Sequence, residues 1–136
     1  MKKRSVQTEF LLDMLDIMNE DLCLPFPVQP GHLPDNGQLS AEFTDCNAFK
    51  NEIGFGGEWR QQLPVKFTCK SPDHFEAMDL LFMLSNHLQN LSSYYTPSCE
   101  YTWTGSRILS PPVFEGTDDE GNAIYSCVVL NELQIF

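Results

Sequence analysis

Histidine and cysteine are the residues of this sequence best suited to nucleophilic or acid–base chemistry. His32 lies in a proline-rich stretch, whereas His74 and His87 stand at helical positions, and local spacing gives none of them a catalytic partner. The cysteines are odd in number, widely spaced and without a Cys-x-x-Cys pair; they are Cys23, Cys46, Cys69, Cys99 and Cys127. This pattern predicts reduced thiols in a cytosolic setting and no zinc site. A small Cys/His enzyme stays an open alternative, because such partners meet only in the folded chain.

The acidic run that begins at Asp118 is the second place where a ligand could bind. An EF-hand calcium loop needs a glycine at its sixth position and a glutamate at its twelfth. Counted from Asp118, Gly121 is fourth and Val129 is twelfth, so the register fails. The run instead predicts a solvated hairpin turn. The glycines at 54, 56 and 57 match no dinucleotide-binding or phosphate-binding fingerprint, and we expect neither a metal nor a cofactor.

Two helices that would position other residues are predicted from hydrophobic periodicity. In residues 6–20, Phe10, Met14 and Met18 recur at helical spacing. The second helix is expected to begin at Ser71, whose hydroxyl would act as the N-cap, with Pro72 at the first helical position. Its apolar face is expected to comprise Ala77, Leu81, Leu84, Leu88 and Leu91, broadened by Leu80, Phe82 and Met83.

Strands and turns occupy most of the remaining sequence. Residues 65–70 alternate apolar and polar side chains, which predicts a half-buried strand. Residues 45–62 predict a long loop or a hairpin tip, because Gly54, Gly56 and Gly57 surround Phe55. Residues 111–112, both proline, are expected to break the chain. Residues 118–122 are expected to form a turn that leads into a strand at 123–130.

The order of these elements predicts the fold class and the domain organisation. We expect an α+β fold with two helices packed on one face of a mostly antiparallel four- to six-stranded sheet. Residues 1–136 would form a single domain with a long loop near 45–62.

The charge balance argues against tight binding to nucleic-acid phosphates. The chain has 136 residues, with 8 Lys+Arg against 19 Asp+Glu and a formal net charge of -11. An acidic surface can still line a channel through which DNA passes without adhering, because like charges repel. No uncharged stretch is long enough to predict a membrane segment, and acidic residues interrupt any signal-peptide core near the start.

Two stretches resemble the bacteriophage tail-terminator and minor capsid (head–tail joining) protein family. The first runs from Gly56-Gly57 through the strand at 63–67 into residues 71–77, and it is similar to that family's Gly-Gly, strand and helix opening. The second, residues 112–122 followed by a strand, resembles the family's proline, apolar pair and Gly-x-Asp-x-x-Gly hairpin. With the leading helix, the resemblance covers roughly residues 5–130. Lys70 stands where the family often has arginine, so a neighbouring head-completion or stopper protein also fits.

The resemblance implies a non-catalytic structural protein of the virion. Such a protein forms a ring, commonly of six subunits, that caps the tail tube and joins it to the head connector or stopper protein. DNA would cross the ring only as passing cargo, and no membrane is involved. The implied location is the head–tail interface of the virion, after assembly in the host cytoplasm. A soluble protein-interaction module unrelated to phage is the alternative.

Contact surfaces are therefore the expected functional elements. Phe55 and Trp59 lie among glycines, and exposed aromatic side chains commonly supply interface hot spots, although Trp59 fits a core position equally well. The tip at 115–122 is acidic, which suits either repulsion of DNA or pairing with basic residues of a neighbouring subunit. The candidate interface residues are Phe55, Trp59, Arg60, Glu115, Asp118, Asp119 and Glu120.

Overall fold

A computed structural model describes residues 5–33, 37–44, 50–53, 59–91, 94–95 and 101–135. Along the chain, one helix precedes the first four strands and the other follows them, and a long hairpin comes after the second helix. In chain order the elements are α1 (Val6–Asp21), β1 (Gln29–Pro30), β2 (Leu39–Phe43), β3 (Lys50–Ile53), β4 (Trp59–Ser71), α2 (His74–Asn90), β5 (Tyr94–Tyr95), β6 (Tyr101–Thr117) and β7 (Ala123–Ile135).

The strands form one sheet in the order β1-β2-β4-β7-β6-β5, and β3 pairs with β4 beyond the end of β2. All pairs are antiparallel except the short parallel contact of β1 with β2. Among the described residues the sheet has seven strands, because two short strands of two residues each, β1 and β5, extend it. The structure thus confirms the predicted α+β class with a mostly antiparallel sheet, and it has one strand more than the expected four to six.

Both helices lie on the same face of the sheet and enclose the core. Successive side chains of a strand point to opposite faces, and the odd-numbered positions of β4 from Val65 to Cys69 are fully buried. The face of α2 that contacts them includes Leu81, Leu84 and Leu88, which are also fully buried, as predicted.

Aromatic packing and polar contacts fix α1 across one end of this sheet. The ring of Phe10 meets those of Tyr101 and Trp103 edge to face, with centroids 5.8 and 5.0 Å apart. The hydroxyl of Tyr101 donates to a carboxylate oxygen of Asp13 at 2.7 Å. Near the start of α1, Gln7 Nε2 donates to Gln61 Oε1 of β4 at 2.8 Å, so the first turn of α1 lies beside the first residues of β4.

The predicted start of the second helix at Ser71 is wrong by two residues. Ser71 is the last residue of β4, where it pairs with Ala123, and Asp73 is the N-cap of α2. The Asp73 carboxylate accepts hydrogen bonds from the backbone N–H groups of Phe75 at 2.9 Å and Glu76 at 3.4 Å. The Ser71 hydroxyl accepts from the N–H of Asp73 at 3.1 Å, so it stabilises the turn before the helix. Strand pairing therefore takes precedence over the local capping signal.

The break predicted at residues 111–112 is also wrong, because β6 continues through both prolines. The register against β7 shifts between Ile108 and Ser110 and again between Ser110 and Val113. Such bulges accommodate prolines, since a bulged residue needs no ladder hydrogen bond. In the described part of the chain, β5 covers the outer edge of β6 only at Thr102 and Trp103, so the prolines lie on an edge strand.

The region expected to be a loop or hairpin tip has the hairpin form. β3 pairs with the first residues of β4, from Ile53 opposite Trp59 to Lys50 opposite Gln62. Residues 59–62 therefore belong to a strand rather than to a long loop. Phe55, between the two strands, lies outside the described residues. Within the described ranges, no helix combines the length and apolar character needed to cross a bilayer.

Candidate assembly surfaces

The sequence-predicted interface residues lie at two opposite ends of the longest strands. Trp59 and Arg60 begin β4, where Trp59 pairs with Ile135 of β7. The acidic residues follow the other end of that ladder, where Ser71 pairs with Ala123. Twelve residue steps at about 3.3 Å each separate the two ends by about 40 Å. The structure therefore divides the predicted site into two surfaces.

The turn between β6 and β7 is organised around Asp118. Its backbone N–H donates to the carbonyl of Asn122 at 3.0 Å, and the N–H of Gly121 donates to the Asp118 carbonyl at 3.1 Å. Gly121 has a φ of 84°, a left-handed conformation that favours glycine. This is the solvated hairpin turn that the sequence predicts.

The Asp118 carboxylate is occupied by donors of its own turn. It accepts from the Asn122 side-chain amide at 3.0 Å, and from the backbone N–H groups of Asn122 at 2.8 Å and Glu120 at 3.0 Å. These hydrogen bonds, above all that from the Asn122 side chain, lower the pKa of Asp118, and the charge of Lys70 adds a smaller contribution. Asp118 is therefore a structural residue of the tip, and Asp119 and Glu120, both exposed, are its outward carboxylates.

Two lysines of β4 join the acidic hairpin to the sheet face that is opposite the helices. Lys70 Nζ lies 3.5 Å from Asp118 Oδ2, and Lys66 Nζ lies 3.8 Å from Glu115 Oε1. Glu115 also accepts a hydrogen bond from the Ser126 hydroxyl. These contacts reach over β7, which lies between β4 and β6. The hairpin end is thus bound to the sheet at two points, and Glu115 is a structural residue as well as an acidic one.

A cleft of about 490 Å³ lies beside these ion pairs. Lys66 and Lys70 line it on one side and the acidic tip on another, with His32 and Leu33 also at its border. Both lysines already face carboxylates, which reduces the positive charge that could bind a small anionic ligand. Within the described ranges, no group of three or more His, Cys, Asp or Glu side chains is placed to hold a metal.

An exposed apolar surface, which the sequence analysis missed, lies next to the acidic tip. Phe75 near the start of α2 is 72% exposed, and Val113 and Phe114 of β6 are 45% and 52% exposed. The centroid of the Phe114 ring lies 5.5 Å from the ring centroids of both His74 and Tyr125, which places Phe114 beside the first turn of α2. Val113 pairs with Ser126 and so points to the other face of the sheet, and we call Phe75 and Phe114 the Phe114 patch. Phe82 and Leu109 are exposed farther along the same two elements.

The outer edge of β6 beside this patch is poorly suited to pairing with another strand. Pro111 and Pro112 have no backbone N–H, and the register shifts twist the strand locally. The N–H of Ile108 donates instead to the side chain of Gln89 of α2 at 3.0 Å. Prolines and bulges of this kind prevent edge-to-edge association of strands. A partner at the Phe114 patch would therefore contact side chains, not extend the sheet.

The opposite surface, which we call the Trp59 end, includes Trp59 and Arg60 at the start of β4. Trp59 is 43% exposed, and Arg60 beside it is exposed. The start of α1 lies next to them through the contact between Gln7 and Gln61. The exposure of Trp59 fits an interface position better than a core position.

Two thiols and two histidines of the described residues have structural surroundings. Burial raises the pKa of Cys69 to about 12 and that of Cys127 to about 12, so neither forms a reactive thiolate near neutral pH. His74 Nδ1 lies 3.0 Å from the hydroxyl of Tyr125, and His87 Nε2 lies 3.1 Å from the Asp21 carboxylate, which links α2 to α1. Cys46 and Cys99 lie outside the described residues.

Neither a known protein-family model nor a curated protein matches this chain. Its function is therefore to be inferred from the sequence resemblance and from the two surfaces described above.

Proposed function

We propose that this protein is a non-catalytic structural component of a phage virion at the joint between head and tail. In this role it forms a ring, commonly of six subunits in the family that it resembles. The ring caps the tail tube, binds the head connector or stopper protein, and lets DNA cross its lumen. The proposed location is the head–tail interface, reached after assembly in the host cytoplasm.

The observation that carries this proposal is the exposure of large apolar side chains in two places on a small protein. Phe75 and Phe114 at one end of the strands and Trp59 at the other are all more than two-fifths exposed. Exposed aromatic side chains are common anchors of protein-binding surfaces. Two unlike surfaces on one chain are what a head-to-tail assembly needs, and such an assembly closes into a ring when the rotation between neighbouring subunits closes.

The acidic hairpin supports the same proposal from its chemistry. Asp119 and Glu120 are held outward on a turn that Asp118 and Lys70 keep in place. The net charge of -11 per chain is repeated in every copy of a ring. Such a ring repels DNA phosphates from its walls, so that the DNA passes without adhering.

The proposal is tested by joining heads to tails in vitro. Tails and DNA-filled heads assembled without this protein are mixed with the purified wild-type chain, and joined, infectious particles are counted. We expect wild type to restore joining and Phe75→Asp to reduce it strongly, because the charge disrupts the exposed apolar surface. Met83→Asp is the matched control, since Met83 is another exposed apolar residue of α2, at 38% exposure, outside the Phe114 patch.

Failure of the folded wild-type protein to join such heads and tails would overturn the proposed role. An equal loss of joining in Phe75→Asp and Met83→Asp would show that the Phe114 patch has no special part in it. A major tail protein encoded beside this chain would be independent support.

A further inference from the structure

We propose that a small cavity on the sheet face opposite the helices binds a free α-amino acid with an apolar side chain. The cavity has a volume of about 220 Å³ and lies where β4 and β7 meet the bulged start of β6. At roughly 30 Å³ per water molecule, this volume equals that of about seven waters, which is enough for an amino acid such as leucine. The site is independent of the proposed role at the joint between head and tail.

Strand pairing places the lining side chains on one face of the sheet. Gln62 of β4 is opposite Glu132 of β7. Arg107 of β6 is opposite Leu130 of β7. Residues directly opposite each other share a face, and so do residues two apart on one strand, such as Leu130 and Glu132. Val129, the residue before Leu130, belongs to the core under the helices, so the cavity opens on the other side of the sheet.

Gly105 leaves the space that forms the cavity. It is opposite Glu132, next to a register shift that follows Trp103. Its φ is not in the left-handed region, and a Cβ added to it would meet no heavy atom within 4 Å. The backbone here would therefore accept a side chain. A glycine inside a strand marks either a bulge or a place that a ligand approaches closely, and this position has both the bulge and the open space.

One cation and one anion line the cavity without neutralising each other. Arg107 and Glu132 are both exposed and both border it. Among the ion pairs of the described residues, none includes Arg107 and none joins it to Glu132. A molecule that carries a carboxylate and an ammonium group satisfies both charges. The planar guanidinium of arginine is well suited to bind the carboxylate through two hydrogen bonds.

The walls of the cavity supply an acceptor and an apolar surface. Leu130 is 3% exposed and lies outside the core cluster under the helices, so it forms an apolar floor. Gln62 Oε1 is buried and accepts no hydrogen bond among the described residues, which costs free energy. Rotation about the last torsion angle of glutamine is soft, so this amide can turn Oε1 toward the cavity and accept from a ligand ammonium group.

The same charges disfavour other classes of ligand. A phosphate would lie against Glu132 in a chain with a net charge of -11, and a simple cation would lie against Arg107. A neutral apolar molecule would remove water from both charges and offer neither of them a partner. A zwitterion with an apolar side chain meets all three requirements.

The test uses the full chain and L-leucine as the probe. The indole N–H of Trp103 donates to the carbonyl of Gly105 at 3.2 Å and to the hydroxyl of Ser106 at 2.9 Å, so its resonance reports on the cavity wall. We would titrate ¹⁵N-labelled protein with L-leucine up to about 10 mM and record ¹H–¹⁵N spectra. We expect saturable shifts of this indole resonance and of the amides at 104–107 and 130–132, with a Kd of about 1 mM or below.

Two analogues separate the contributions of the two charges. N-Acetyl-L-leucine lacks the ammonium group, and L-leucinamide lacks the carboxylate. Each should bind at least about tenfold more weakly than L-leucine, because each leaves one charge of the cavity without a partner.

Variants assign the binding to this cavity. Arg107→Gln and Glu132→Gln should each weaken binding about tenfold, and Arg107→Lys should retain part of the affinity. Gly105→Leu should fill the cavity and abolish binding, with little change in Tm, since the space above it is open. Arg60→Gln is the matched control. It removes the same charge from a residue that does not line the cavity, and it should bind L-leucine as wild type does.

Three results would overturn the inference. Wild-type protein that gives no saturable shift with L-leucine has no such site. Equal binding of L-leucine and its two analogues would show that the charges are not recognised. Wild-type affinity in the folded Arg107→Gln variant, whose substituted side chain is exposed, would show that L-leucine binds elsewhere.

Discussion

At the scale of single residues, Asp118 shows how a side chain that suggests metal binding is used for structure. Its oxygens accept hydrogen bonds from the backbone and side chain of Asn122 and from the backbone of Glu120. These donors lie within four residues, so the local sequence suffices to predict the turn. The exposure of Phe75 and Phe114 is not local in this way. It depends on where α2 and β6 come to lie in the folded chain, and periodicity alone does not reveal it.

The first prediction concerns the pH dependence of this turn. Hydrogen bonds to the charged carboxylate hold the pKa of Asp118 below its usual value of 3.8. A carboxyl group whose pKa is lowered by folding stabilises the folded state above its unfolded pKa, and this contribution is lost as pH falls through the folded pKa. Asp118→Asn should therefore lower Tm at neutral pH, and the difference from wild type should shrink below about pH 3.8. Its control is Asp119→Asn at the exposed neighbouring position. A Tm difference that is the same at neutral and at strongly acidic pH would contradict this account.

A second prediction concerns the thiols. Cys69 and Cys127 lie in the core on adjacent strands, and burial raises the pKa of each to about 12. Iodoacetamide should alkylate the exposed Cys23 in the native protein, and Cys69 and Cys127 only after denaturant is added. Peptide mass spectrometry after timed labelling measures this directly. Fast alkylation of Cys69 without denaturant would show that the core opens readily or that this strand is not buried.

At the scale of elements, α2 provides the most direct test of the core. Leu84 is fully buried against the sheet. Leu84→Asp places an unpaired charge there, at a cost of several kcal/mol against a total stability of about 5–15 kcal/mol. We expect the variant to be unfolded by circular dichroism at room temperature. Asn86→Asp adds the same charge on the exposed side of the same helix and should leave the fold intact. A folded Leu84→Asp protein with unchanged Tm would mean that this face of α2 is exposed to solvent.

The elements also show which sequence signals are sufficient to predict secondary structure. Helical periodicity predicts both helices, and the polar run at 118–122 predicts the hairpin, because these patterns report on neighbouring residues. The start of α2 and the continuity of β6 are mispredicted because distant residues decide them. Ser71 pairs with Ala123, and β6 follows β7 through its prolines. A partner strand more than ten residues away overrides a capping signal at Ser71 and a break signal at Pro111.

At the scale of the whole molecule, the fold depends on packing without metal or disulfide in the part of the chain that the structure describes. Cys23, Cys69 and Cys127 are free thiols, and no cluster of metal-binding side chains lies within the described ranges. We therefore expect the same Tm in buffer, in EDTA and in dithiothreitol, as measured by differential scanning calorimetry. A lower Tm in EDTA would reveal a bound metal. A lower Tm in dithiothreitol would reveal a disulfide, and peptide mapping would then identify the cysteines involved.

The position of β7 within the sheet has a consequence for how the chain reaches this structure during synthesis. Residues 123–135 lie between β4 and β6 and pair with both, although they are the last of the described strands to leave the ribosome. Trp59 can pair with β7 only after its partner Ile135, 76 residues later in the chain, has been synthesised. Until then, β4 and α2 lack the central strand against which they pack, so the nascent chain exposes their apolar faces. The sheet therefore closes only after β7 has been synthesised, and a chain that lacks residues 123–135 exposes the apolar surfaces that β7 covers.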